Sequence, residues 1–132
     1  MGKVTYVGKT GSGQIAKLAN QTIVGITIGA VSEALILAKA AGANPKAVRE
    51  AIKTGFAGSP ILENHGNRIL NGNFKAGGKC STQLKDMKNI IETARDYNIH
   101  LPISNKIKKL YAMMVKQGKS NLDHSALYLL LK

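Results

Sequence analysis

The sequence has no tryptophan, one cysteine, three prolines and only 5% aromatic residues, and it sets 7 acidic residues against 19 lysines and arginines. Each scarcity excludes something. A lone cysteine, Cys80, permits no intramolecular disulfide, and His65, His100 and His124 show no metal-ligand spacing with it, so no metal is expected. The sparse aromatics form no stacking series of the kind a single-strand nucleic-acid binder uses. Pro45, Pro60 and Pro102 each stand where a helix can begin, so none argues against helices. The first residues lack the apolar stretch of a signal peptide. The longest uncharged run, Leu18 to Ser32, is shorter than the roughly 20 apolar residues that span a bilayer. No membrane and a reduced, cytoplasmic setting are therefore expected.

What is present is aliphatic and basic. In 132 residues, 44% are hydrophobic, enough for one domain with a real core, and the abundance of Ala, Ile, Leu and Lys favours helices packed through aliphatic side chains. The formal charge of +12 would attract polyanions, so a basic helical nucleic-acid-binding module is one reading. Against it, the lysines are scattered and form no run, as on a solvated basic surface.

The expected architecture is all-α, a single helical domain around one long central helix at about residues 14–41, ended by Gly42. Its middle is apolar on nearly every side, and Gly25 and Gly29, four apart, would let another helix approach closely. Asn44 with Pro45, and Ser59 with Pro60, cap the next two helices. Ser81 or Thr82 is expected to cap a fourth running to Tyr97, whose Leu84, Met87, Ile90, Ile91 and Ala94 recur at helical spacing. Pro102 opens a fifth, to Gln117, and Asp123 caps a short last one. A serine, histidine and aspartate also meet in Asp123, His124 and Ser125. Adjacency is not catalytic geometry, so the cap is the plainer reading.

Ahead of the long helix, Gly8, Gly11 and Gly13 lie in a stretch, GKTGSGQIAK, that follows a β-like run. Gly11, Gly13 and Ala16 have the spacing of a dinucleotide-binding turn. That motif needs a second strand after the helix, with an acidic residue about 20 positions on. The residue twenty past Gly13 is Glu33, but it lies inside the helix, and no β-like run follows. Residues 1–13 therefore read as an extended arm whose glycines permit a sharp turn and a close approach. On the helix itself, Lys17, Asn20 and Gln21 share one face, a site-like cluster on an apolar element. A lysine partly buried beside an apolar post can exchange a proton near neutral pH, while the plainer alternative is a lysine at a helix start that snorkels to solvent.

Taken together, Gly8, Gly11, Gly13, Lys17 and Asn20 resemble the motif that opens the C-terminal helical domain of the β-hydroxyacid dehydrogenases. This family includes 3-hydroxyisobutyrate dehydrogenase and tartronate semialdehyde reductase (2-hydroxy-3-oxopropionate reductase). The segments Lys17 to Gln21, Ser32 to Leu35, Gly55 to Ser59, Asn73 to Lys75, Lys85 with Asp86, and Asp123 to Leu127 follow in the family's order and cover almost the whole chain. The resemblance implies a fold like the C-terminal domain of 6-phosphogluconate dehydrogenase, with residues 14–132 serving substrate binding and dimerisation. It implies NAD or NADP as cofactor, a small carboxylate as substrate, Lys17 as catalytic acid and base, Asn20 and Gln21 as substrate-ordering residues, and Lys85 as a cofactor contact. Gln21 fits the tartronate semialdehyde reductase branch. Gly78 stands where the family tends to place a bulky aromatic. The family's N-terminal dinucleotide-binding domain would precede the arm, so most cofactor contacts are expected outside this chain. The chain alone is expected to be inactive and to associate as a homodimer or higher homo-oligomer.

Overall fold

A computed structural model describes residues 11–132; the expectations for residues 1–10 of the arm lie outside this range. Gly11 adopts a left-handed backbone, φ 93°, and its carbonyl accepts the amides of Gln14 and Ile15 at 3.1 and 3.4 Å. This turn, which glycine adopts without strain, starts α1 (Ser12–Ala40). Gly13 already lies within α1, so the sharp turn expected of both glycines belongs to Gly11 alone.

Five further helices follow: α2 (Pro45–Ile52), α3 (Pro60–Asn71), α4 (Cys80–Asp96), α5 (Pro102–Lys116) and, after a 3-10 turn at His124–Ala126, α6 (Leu127–Leu131). No strand occurs among the described residues. Three expected caps form: Asn44 Oδ1 accepts from Ala47 N at 3.2 Å, Ser59 Oγ from Leu62 N at 2.9 Å, and Asp123 Oδ2 from Ser125 N at 3.0 Å. The cap expected at Ser81 or Thr82 does not. Helix α4 begins at Cys80, and its entrance is held by distant backbone, with Cys80 N donating to Leu122 O at 2.9 Å and Ser81 N to Ser120 O at 3.0 Å. Those carbonyls satisfy two helix-end amides that a serine hydroxyl would otherwise serve.

Helix α1 is the central post, packed against every other helix. The two glycines make this possible. A Cβ on Gly25 would stand 2.9 Å from Met87 Sδ and 3.0 Å from Gln83 Nε2, and one on Gly29 would stand 2.9 Å from Ile107 Cδ1. Without those methyls, α4 and α5 reach the backbone of α1. The main core forms at this crossing from Ile28, Met87, Tyr111, Met114 and Leu127, all fully buried. Burial of each such aliphatic side chain contributes about 1.5–3 kcal/mol. A second cluster, Val31, Leu35, Leu62 and Ile69, fixes α3 against the later half of α1.

One expectation about α1 is corrected by its length. It has 29 residues and a mean hydropathy of 1.8 over its most apolar 18, so by length and composition it could cross a membrane. Lys17, Glu33 and Lys39 limit the uncharged run but not the apolar stretch. The packing of α2 to α6 around it is that of a core helix.

Candidate functional site

At the N-terminal end of α1 the chain turns one polar edge toward α4. Lys17, Gln21 and Asp86 line a cleft of about 380 Å³ between the two helices, with Glu92 and Asp96 farther along α4. The amides are ordered in sequence. Asn20 Nδ2 donates to Gln21 Oε1 at 3.0 Å, and Gln21 Nε2 donates to Asp86 Oδ2 at 2.9 Å. An amide oxygen only accepts and an amide nitrogen only donates, so this relay fixes both orientations and leaves the Asn20 carbonyl and the Lys17 ammonium for an incoming polar molecule.

Gln21 thus shares the cleft with Lys17 and is bonded to Asn20, which itself stands exposed outside the cleft lining. Lys17, however, is exposed. The burial anticipated beside the apolar post is not supplied by this domain's own helices, because Lys17 stands near the start of α1, ahead of the segment that α4 and α5 enclose. Lys85 is also exposed, next to Asp86 in sequence but outside the cleft. Sequence reasoning named Asp86 only beside Lys85 in the family's order and missed its place in the relay. The signal available was position, since Asp86 adjoins the core residue Met87 and so sits at the seam with α1.

An apolar groove of about 660 Å³ adjoins this cleft, sharing Leu18 and Thr93 with it, and includes Ile15, Ile23, Tyr97 and Ile99. Ile23 and Tyr97 are about two-thirds exposed, at 65% and 68%, an apolar surface that the domain's own helices leave open.

A second polar cleft, of about 700 Å³, opens between α3 and the turn before α6. There Asp123 Oδ1 accepts the amides of Gly77 and Gly78 at 2.9 and 3.0 Å, while Oδ2 takes the amide and hydroxyl of Ser125. Burial alone would raise the Asp123 pKa, but these hydrogen bonds outweigh it and hold the carboxyl at about 2. His65 Nε2 and His124 Nε2 lie 2.8 Å apart, and burial lowers both imidazole pKa values. The spacing of histidines in sequence gave no sign of this pair. Gly78 is part of its setting, for a Cβ there would lie 3.1 Å from His124 Nε2.

Comparison with known proteins gives the chain's family and fold. The chain is 44% identical over 124 residues to the 2-hydroxy-3-oxopropionate reductase of Escherichia coli (strain K12), covering 94% of this chain and 42% of that protein. It is 36% identical over 132 residues to the probable 3-hydroxyisobutyrate dehydrogenase-like 1, mitochondrial, of Arabidopsis thaliana, covering 100% of this chain and 40% of that one. The chain therefore spans about two fifths of the length of these curated relatives. Among solved structures, the 3-hydroxyisobutyrate dehydrogenase of Mycobacterium tuberculosis with L-serine has the same fold, with a TM-score of 0.88 at 22% identity over 99% of this chain and 47% of that one. Residues 11–131 match the family described as NAD-binding of NADP-dependent 3-hydroxyisobutyrate dehydrogenase, and it is to this family that the chain belongs.

Proposed function

We propose that this chain is the helical substrate domain of an NAD(P)-dependent hydroxyacid dehydrogenase or reductase, acting on a small carboxylate of the tartronate semialdehyde or 3-hydroxyisobutyrate type. The observation that carries the reading is the cleft in which Lys17 stands beside the Asn20, Gln21 and Asp86 relay. A nicotinamide cofactor, when bound, supplies or takes the hydride. Lys17 Nζ then exchanges the proton of the substrate oxygen, donating it as charge develops in reduction and accepting it in oxidation. Asn20 and Gln21, held by Asp86, order the substrate against that ammonium. Lys85, exposed on α4 outside the cleft, offers a positive group to the anionic cofactor.

The described residues fit the nicotinamide end of such a cofactor, since the cleft beside Lys17 is open and flanked by an apolar wall. They contain no strand and glycine-rich turn to hold its pyrophosphate, a role that falls to a further domain. The apolar groove around Ile23 and Tyr97 suits association with a second copy, giving a homodimer or larger homo-oligomer; a strict monomer by sedimentation at tens of micromolar would count against that. The nucleic-acid reading gains nothing from the structure.

A chimera tests the proposal. The nucleotide-binding part of the Escherichia coli reductase, joined ahead of Gly11, should reduce tartronate semialdehyde with NADH or NADPH. A folded chimera that binds cofactor but turns over neither this substrate type nor its reduced product would refute it.

A further inference from the structure

The second polar cleft carries a separate inference, independent of the dehydrogenase reading. We propose that His65 and His124, backed by Asp123, form a binding site for a divalent transition-metal ion of the Zn²⁺, Ni²⁺ or Cu²⁺ class. Ligand atoms of the three residues all lie within 4.8 Å of one another.

The geometry of the two imidazoles supports it. His124 Nδ1 faces the Oε1 of buried Gln83 at 3.0 Å, and the Gln83 Nε2 is directed at Met87 Sδ, 3.5 Å away. The amide oxygen can only accept, so the His124 proton sits on Nδ1 and its Nε2 is unprotonated, accepting from His65 Nε2–H until a metal takes the place of that proton. A carbonyl oxygen behind the far ring nitrogen is the arrangement that orients a metal-ligating histidine. The neighbouring Nε2 of His65, 2.8 Å away, is the second ligand atom. Two nitrogens about 2.0–2.1 Å from one ion stand roughly 2.8–3.0 Å apart at a right angle and about 3.3 Å apart in a tetrahedron. The observed separation therefore suits adjacent positions of a tetragonal Cu²⁺ or Ni²⁺ centre, while Zn²⁺ needs the rings to part by about half an ångström.

The surroundings leave room for the remaining ligands. Gly78 presents no side chain, whereas a Cβ there would crowd His124 Nε2 at 3.1 Å. Asn64, Asn67 and Asn73 line the open side of the cleft. Asp123 supplies negative charge, but its oxygens already accept the Gly77, Gly78 and Ser125 donors, so its role is chiefly electrostatic. Arg68 opposes a cation. Its Nη1 lies 3.8 Å from Asp123 Oδ1 and donates to Lys75 O at 2.6 Å, which ties the guanidinium to the carboxylate side of the cleft. Removing that charge should tighten metal binding, an effect opposite in sign to ordinary damage.

The test is calorimetric titration of the full chain with Zn²⁺, Ni²⁺ or Cu²⁺ alone in a non-coordinating buffer. One saturable ion per chain is expected. His65→Ala should weaken it at least about tenfold, Gly78→Val should weaken it with both histidines still present, and Arg68→Gln should strengthen it. Replacing the exposed His100 by Ala should leave it unchanged. The Cu²⁺ complex of the unaltered chain should show coupling to two imidazole nitrogens by electron paramagnetic resonance, a readout that does not depend on any variant folding. No saturable binding at millimolar metal, equal affinity in His65→Ala, dependence on His100, or a Cu²⁺ spectrum without two equatorial nitrogens would overturn the proposal.

Discussion

Gln21 and Asp86, 65 residues apart in sequence, are joined by a hydrogen bond of 2.9 Å from the Gln21 amide nitrogen to the Asp86 carboxylate. Through it, α4 sets the orientation of a side chain on α1, and Gln21 in turn orients Asn20. In the chimeric enzyme, Asp86→Ala should raise the substrate KM more than it lowers kcat, because substrate ordering is lost while Lys17 remains. Asp86→Asn keeps an acceptor and should recover part of the loss. The pair is partly exposed, so the stability change should stay within about 1 kcal/mol by urea denaturation. A kcat loss as large as that of removing Lys17, with KM unchanged, would place Asp86 in the proton transfer.

Gly25 and Gly29 should respond differently to a side chain. A Cβ on Gly25 meets both Met87 Sδ and Gln83 Nε2, and Gln83 is itself held by His124. Gly25→Leu should therefore cost about 1–3 kcal/mol through overpacking. At Gly29 the obstacle is one terminal methyl of Ile107. That methyl can move, and alanine gains up to about 1 kcal/mol over glycine in a helix interior, so Gly29→Ala should be close to neutral. Equal losses at the two positions in urea titrations would contradict this account of the crossing.

The fold was legible in this sequence because its signals are local. Proline after a capping residue, glycine after a helix, and apolar spacing all act within one or two turns, and α2, α3 and α5 begin where those residues stand. The start of α4 was not legible, since the groups that satisfy Cys80 and Ser81 come from Leu122 and Ser120, some forty residues on. The site divides in the same way. Lys17, Asn20 and Gln21 are three residues of one helix and announce themselves by spacing. Asp86 and the His65 with His124 pair depend on how helices meet, which spacing does not encode. The exposure of Lys17 was hidden for the same reason, as periodicity shows which face is apolar and not how far along the helix its neighbours reach.

The histidine pair predicts a pH dependence of stability. Burial, first of all, lowers the pKa of both His65 and His124 from 6.5, so near that pH the unfolded chain binds protons that the folded chain does not. This contribution is complete above pH 6.5 and is lost as pH falls below it toward the folded values. Asp123 adds a second loss at lower pH, between its ordinary 3.8 and its folded value of about 2. Urea midpoints measured with a chelator at pH 7.5 and 5.5 should therefore fall with acid, and His65→Phe should flatten the slope. A profile that is flat for the unaltered chain would rule out the desolvated pair.

The central claim is that Lys17 is the proton-exchanging group, and steady-state kinetics of Lys17→Ala in the chimeric reductase tests it most directly. Acid and base assistance is worth about 10²- to 10⁴-fold, so kcat should fall by at least about a hundredfold while cofactor affinity barely changes. Lys17→Arg should fail nearly as badly, because a guanidinium does not release its proton near neutral pH. A kcat for Lys17→Ala within a few-fold of the parent would contradict the account and leave Lys17 as a solvent-exposed lysine at the start of a helix.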